Sequence, residues 1–192
     1  ESPAETRFLA SGDGEWLEFL ARRGLGHVAF EPPAMRPVQY LDSLGVLTPG
    51  LLAVHCVQTT LDDWRLLASR GVRVALCPRS NRNLGLGLPP VKGLLDAGVG
   101  LCLGTDSLGS AETLKVLDDA ALLHRELPDL DPALLVRWAT AGGAEGLGLP
   151  DLGTLEPGKR AVFAFAPAVP GLTDPLGFLV SGDAHTVGVR PS

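Results

Sequence analysis

The chain has 192 residues, of which 45% are apolar and 20% charged, with a formal net charge of −6. This length suits about one domain, and the apolar share excludes wholesale disorder. The acidic balance, without a Lys/Arg run, argues against a nucleic-acid partner; no apolar stretch reaches the roughly 18 residues of a membrane-spanning helix, and residues 1–7 lack the form of a signal peptide.

In chain order, Ser2-Pro3-Ala4-Glu5 sets an N-cap, a first-turn proline and a capping-box glutamate in sequence. Phe8, Leu9, Trp16, Leu17, Phe19 and Leu20 continue at helical spacing. Ser11-Gly12-Asp13-Gly14 interrupts them, so two helices are expected. Residues 37–44 form a further short helix, with Val38, Leu41 and Leu44 on one face.

A repeating unit follows. Apolar runs at 51–55, 72–77 and 99–103 alternate with amphipathic stretches at 61–70, 91–97 and about 111–126. Runs of this length without polar alternation, separated by helices, predict βαβ units and a parallel sheet buried on both faces. Residues 131–141 predict another helix, which Gly142-Gly143 separates from a short segment at 144–147. After Gly153 the pattern changes: 162–165 and 186–189 read as strands flanking a Pro- and Gly-rich loop. Cys56, Cys77 and Cys102 are odd in number and lie in apolar runs, so they read as buried small hydrophobes of a reducing cytoplasm.

The residues that end the three strands carry the chemical information. The first run ends in His55-Cys56, the second in Cys77-Pro78-Arg79-Ser80-Asn81, the third in Gly104-Thr105-Asp106-Ser107. Parallel α/β proteins build their sites at the carboxyl ends of strands. His and Asp there serve as metal ligands or proton-transfer groups. Taken singly, Asp106 also reads as a helix cap and Ser80 and Asn81 as turn residues. His27, His124 and His185 read as structural or exposed, and Asp118-Asp119 as the solvated side of a helix. Gly85-Leu86-Gly87 is not a phosphate loop, because no Lys-Ser or Lys-Thr pair follows.

With His55-Cys56-Val57, the 77–81 segment followed by Leu84-Gly85-Leu86-Gly87-Leu88-Pro89-Pro90, and 104–107 stand two further segments. These are Ala139-Thr140-Ala141-Gly142-Gly143-Ala144-Glu145 and Gly153-Thr154-Leu155-Glu156-Pro157-Gly158-Lys159. In this order they resemble the C-terminal half of an amidohydrolase-superfamily metal-dependent hydrolase, in the deaminase/chlorohydrolase branch that includes guanine deaminase and S-adenosylhomocysteine deaminase. The resemblance implies an α/β fold. Residues 1–150 would supply strands six to eight of a (β/α)8 TIM-like barrel, and 151–192 part of a small β-sandwich.

It also implies one divalent metal, zinc or alternatively iron, and hydrolysis of a non-peptide C–N bond in a small heterocyclic substrate. Asp106 matches the family's eighth-strand metal ligand and proton acceptor. His55 matches the sixth-strand His beside the metal. Glu1 matches the proton shuttle of the fifth-strand motif, and Arg79, Ser80 and Asn81 lie where substrate contacts or a brace belong. The family's His-x-His and fifth-strand His have no counterpart here. Gln58 stands in place of a second sixth-strand His, and Val162 in place of a common Asp near the sandwich. A complete barrel needs about 250 residues, so the chain reads as an incomplete piece, expected to be inactive alone. A catalytically silent barrel remnant acting as a binding module is the competing reading, with dechlorination or imidazolone hydrolysis as alternatives within the superfamily. No membrane partner is expected; a homo-oligomer is compatible with the sequence.

Overall fold

The computed structural model describes residues 2–25, 31–184 and the backbone of 187–189. It begins with α1 (Pro3–Ser11) and α2 (Glu15–Arg22). The capping box is formed: the Ser2 amide donates to Glu5 Oε2 at 2.8 Å, and the Glu5 amide donates to Ser2 Oγ at 3.3 Å. Gly12, at φ 74°, ends α1 in the left-handed conformation that glycine adopts without steric cost. The next helix, α3, spans Pro37–Ser43.

The centre is a parallel sheet of three strands in sequence order, β1 (Leu52–Val54), β2 (Arg73–Leu76) and β3 (Gly100–Leu103). Ala53 pairs with Val74, and Ala75 with Cys102. Crossovers run through α4 (Leu61–Ser69), then α5 (Pro78–Asn83) and α6 (Val91–Asp96). Val74, Leu76, Leu101 and Leu103 join the main core with Leu67 of α4 and Val91 and Leu94 of α6. Ala120 and Leu123 of the next helix, α7 (Val116–Glu126), belong to the same core. Beyond their first residues, Arg73 and Gly100, β2 and β3 are buried, as the apolar runs that follow require. Val54 of β1 remains 48% exposed, and among the described residues no strand pairs with the far edge of β1 or of β3.

Three local expectations are corrected. Residues 78–83 are a short helix rather than a loop, and α7 starts at Val116 rather than near 111. Gly142-Gly143 does not separate two segments: α8 (Pro132–Arg137) runs through a π-helical stretch (Trp138–Gly142) directly into α9 (Gly143–Gly146). The glycine serves close packing instead. A Cβ on Gly142 would lie 2.6 Å from the Leu101 carbonyl oxygen of β3. Because the obstacle is backbone, Gly142→Ala is expected to destabilise the fold by about 1–3 kcal/mol, the cost of overpacking. Urea unfolding checks this; an unchanged midpoint contradicts it.

In the tail, β4 (Phe163–Phe165) pairs antiparallel with β5 (Val187–Val189), and α10 (Pro175–Leu179) lies between them in sequence. The expected partial sandwich is thus a two-stranded ladder among the described residues, with Phe163 and Phe165 exposed. Thr186 and His185 lie outside the described residues.

Candidate functional site at the strand ends

His55 directly follows β1, and its amide extends the ladder by donating to the Ala75 carbonyl at 2.9 Å. Asp106 follows β3. Both therefore sit at the carboxyl-terminal rim of the sheet, as the sequence predicts. Both also have left-handed backbones: φ is 69° at His55, 50° at Cys56 and 60° at Asp106. Only one other non-glycine among the described residues, Ala34, has positive φ. Such conformations are held by surrounding structure and concentrate at functional sites.

The short helix α5 connects the two rim residues. Pro78 opens its first turn with a preset φ, and Ser80 and Asn81 are both fully buried. The Ser80 hydroxyl donates to Asp106 Oδ2 at 2.7 Å. Ser110, on the loop after β3, donates to the same oxygen at 2.8 Å. Asn81 Oδ1 lies 2.7 Å from His55 Nδ1.

The two hydroxyl bonds hold the Asp106 carboxyl below the usual aspartate range; burial opposes them weakly, and neighbouring His55 adds to the lowering. A depressed folded pKa means that ionised Asp106 contributes stability above the unfolded-state pKa. That contribution is lost as pH falls through the folded value. Carboxyl-carbon NMR should give Asp106 a midpoint below the roughly 3.9 of an unfolded-chain aspartate; a midpoint above it would contradict the hydroxyl contacts.

Arg79 is placed differently from its neighbours. Its Nε and Nη2 donate to Asp119 Oδ2 at 3.0 and 2.8 Å, and its amide donates to Asp119 Oδ1 at 3.1 Å. Nη1 donates to Thr113 Oγ1 and Nη2 to the Thr113 carbonyl, both at 2.9 Å. The guanidinium thus ties α5 to α7 and to the loop carrying Ser110. Asp119 is fully buried, which corrects the solvated placement expected from sequence: it faces α5 to meet Arg79. Burial pushes its carboxyl upward, and the Arg79 bonds offset this only in part.

Cys77 and Cys102 are buried, as expected from sequence, whereas Cys56 is only partly buried. Burial, with help from Asp119 and Asp106, pushes the Cys77 thiol up to about 12, and burial pushes Cys56 up to about 11. Burial thus disfavours the thiolate at both positions. An apolar cavity of about 270 Å³ runs along the outer edge of β1, lined by Val38, Leu41, Leu47, Leu51, Val54 and Leu67 among others. Neither His55 nor Asp106 lines it.

Glu1 and His27 lie outside the described residues. Among the described residues no group of three His, Cys, Asp or Glu side chains could hold a metal ion. The donor types at the rim, one carboxylate and one imidazole, suit a zinc-like ion, but a catalytic zinc takes three protein ligands. The two rim groups fall short of that number. Sequence reasoning missed Ser110, Thr113 and Asp119; the nearest signals were the four-residue spacing from Asp106 to Ser110 and the acidic pair in the first turn of α7.

Parallel strands joined by helical crossovers, with polar residues at their carboxyl ends, define an α/β architecture. Residues 29–187 match the amidohydrolase family, and the chain belongs to that family. It is 44% identical over 133 residues to a 5-methylthioadenosine/S-adenosylhomocysteine deaminase of Pelotomaculum thermopropionicum, a match covering 65% of this chain and 30% of the relative. It is 43% identical over 154 residues to the aminodeoxyfutalosine deaminase of Deinococcus radiodurans, covering 77% of this chain and 37% of the relative. The chain thus spans about a third of the length of these relatives. Among solved structures, an adenosine deaminase from Xanthomonas campestris with bound zinc is 34% identical, with a TM-score of 0.70 over 85% of this chain and 38% of that one. A mutant atrazine chlorohydrolase from Arthrobacter aurescens, complexed with zinc and atraton, is 28% identical, with a TM-score of 0.72 over 84% of this chain and 38% of that one.

Proposed function

We propose that the chain is the C-terminal part of a metal-dependent hydrolytic deaminase acting on a small heterocyclic amine. In this reading β1 to β3 are barrel strands six to eight, residues 1–150 belong to the barrel and 151–192 to its β appendage. A further strand would lie along the open edge of β1, beside the apolar cavity there. The observation that carries the reading is the convergence of His55 and Asp106 on one rim, each bonded to an adjacent residue of α5.

Asp106 would be the one metal ligand supplied by this chain, the remaining ligands coming from outside it. A bound divalent metal brings the acidity of a water towards neutral pH. Asp106, kept ionised by Ser80 and Ser110, orients the attacking water and accepts its proton. His55, beside it, contacts the substrate or the developing tetrahedral centre. Glu1 protonates the ring nitrogen, which makes the carbon electrophilic; the proton that Asp106 took from the water then goes to the amino group, which departs as ammonia, and the new hydroxyl returns a proton to Glu1 as it becomes the carbonyl. Arg79 braces α5 rather than touching substrate in this reading, because its guanidinium is already bonded to Asp119 and Thr113.

Deamination is favoured over dechlorination because the curated relatives at 44% and 43% identity are deaminases. The test is to join residues 1–192 to the missing barrel half and assay purine nucleosides, pterins and chlorotriazines, following ammonia and chloride separately. Ammonia release is expected. Chloride alone would overturn deamination, and neither product would favour the silent-remnant reading. Residues 1–192 alone are expected to show no turnover.

A further inference from the structure

We propose that Ser80 and Asn81 form a single positioning bracket, which fixes Asp106 and His55 relative to each other and selects the tautomer of His55. This rests on the reading of those two rim residues as the chemical groups. Ser80 and Asn81 are adjacent on α5 and fully buried. Each reaches one rim residue: Ser80 Oγ is 2.7 Å from Asp106 Oδ2, and Asn81 Oδ1 is 2.7 Å from His55 Nδ1. Both follow their strands with left-handed backbones. The His55 amide is still tied to the sheet through the Ala75 carbonyl, so what α5 supplies is a hold on the two side chains.

Helix α5 is fixed well enough to do so. The Asn81 amide donates to the Cys77 carbonyl at 3.0 Å, closing the first turn, and Arg79 anchors that turn to Asp119 and Thr113. The three consecutive residues 79–81 thus have distinct jobs: Arg79 anchors the bracket, Ser80 holds the carboxylate and Asn81 holds the imidazole.

The chemical consequence concerns the proton on His55. With Asn81 Oδ1 facing the ring and Asn81 Nδ2 buried without a hydrogen-bond partner among the described residues, the contact assigns the hydrogen of the neutral ring to Nδ1, since a carbonyl oxygen only accepts. Nε2 is then the ring's acceptor, whereas a neutral imidazole without this partner exchanges between both tautomers. On Asp106 the two hydroxyls share Oδ2, which restricts the rotation of the carboxylate.

The tautomer can be read on the 192-residue chain without any activity. Long-range proton–nitrogen NMR of the neutral ring should show a protonated Nδ1 and an unprotonated Nε2 at His55. Asn81→Ala should convert this to a mixed or Nε2-protonated signal, and Asn81→Asp, which keeps the acceptor, should restore Nδ1 protonation. For Ser80, three-bond couplings to Asp106 Cγ should report one side-chain rotamer in the parent chain and averaging in Ser80→Ala. In the completed barrel, Ser80→Ala and Asn81→Ala should each lower kcat by about 10–100-fold, the usual loss when a supporting partner of a site residue is removed, with KM little changed. An Nε2-protonated His55 in the unmutated chain, or a tautomer and rotamer indifferent to these substitutions, would overturn the bracket whatever the enzyme does. Failure of the deaminase reading would instead show as no ammonia release from the completed barrel, with the tautomer result standing.

Discussion

Replacing Asp106 with Asn in a completed barrel is expected to lower turnover by about 10²–10⁴-fold, the usual cost of losing a proton-transfer group. That corresponds to about 3–5 kcal/mol in the barrier. The substitution separates chemistry from architecture. The introduced amide would still accept a bond from Ser80 or Ser110 through its oxygen, so the loop after β3 keeps its anchors. It would lack the charge and the basicity that a proton acceptor needs. A helix-capping role predicts little loss, since Asn caps about as well as Asp; moreover, the helix that follows begins only at Val116, well beyond the reach of Asp106. Activity within about threefold of the parent, at an unchanged melting temperature, would remove Asp106 from the mechanism. That bound corresponds to about 0.7 kcal/mol, far below the expected effect.

The largest effect on stability should come from Asp119→Ala. The side chains of Arg79 and Asp119 are 12% and 0% exposed, so their pairing takes place largely away from water. Removing one member of a buried pair leaves the other charge without its counter-ion, at a cost of about 3–5 kcal/mol. Arg79 would keep Thr113 and the Lys115 carbonyl as neutral partners, which places the loss at the lower end of that range. Asp118, 3.5 Å from Arg79 Nη1, supplies some residual charge but is partly exposed. Urea unfolding followed by far-UV circular dichroism measures this. A loss under about 1 kcal/mol, the value of an exposed surface pair, would contradict the anchoring role of Asp119.

The three strands and the rim are legible in the sequence for a simple reason. Buried parallel strands are written as short apolar runs, and the residue after each run marks a strand end. His55 and Asp106 can therefore be placed on one rim from the sequence alone. Helix α5 is not legible in this way. Pro-Arg-Ser-Asn-Arg-Asn carries no apolar periodicity, because its helical form is held by side-chain bonds to Asp119 and Asp106 rather than by an apolar face. The same holds for the partners it recruits. Ser110 and Thr113 reach the site only because the loop between β3 and α7 folds back over α5. Asp119 reads as an ordinary surface acid on an amphipathic helix; only the packing of α5 on α7 buries it. The continuous passage from α8 to α9 is hidden for the opposite reason: paired glycines signal a break, but here Gly142 allows close approach to β3.

If the rim holding His55 and Asp106 is one side of a metal-dependent hydrolytic centre, the completed barrel must hold a metal ion through Asp106. Metal analysis of that barrel, purified without added metal and compared with its Asp106→Asn variant, tests this most directly. About one tightly held divalent ion per unmutated chain is expected, as befits a catalytic site of this donor type, with a clear loss of that ion in the variant while the fold stays intact. A completed, folded barrel that holds no metal, or that holds it equally well after Asp106→Asn, would contradict the assignment.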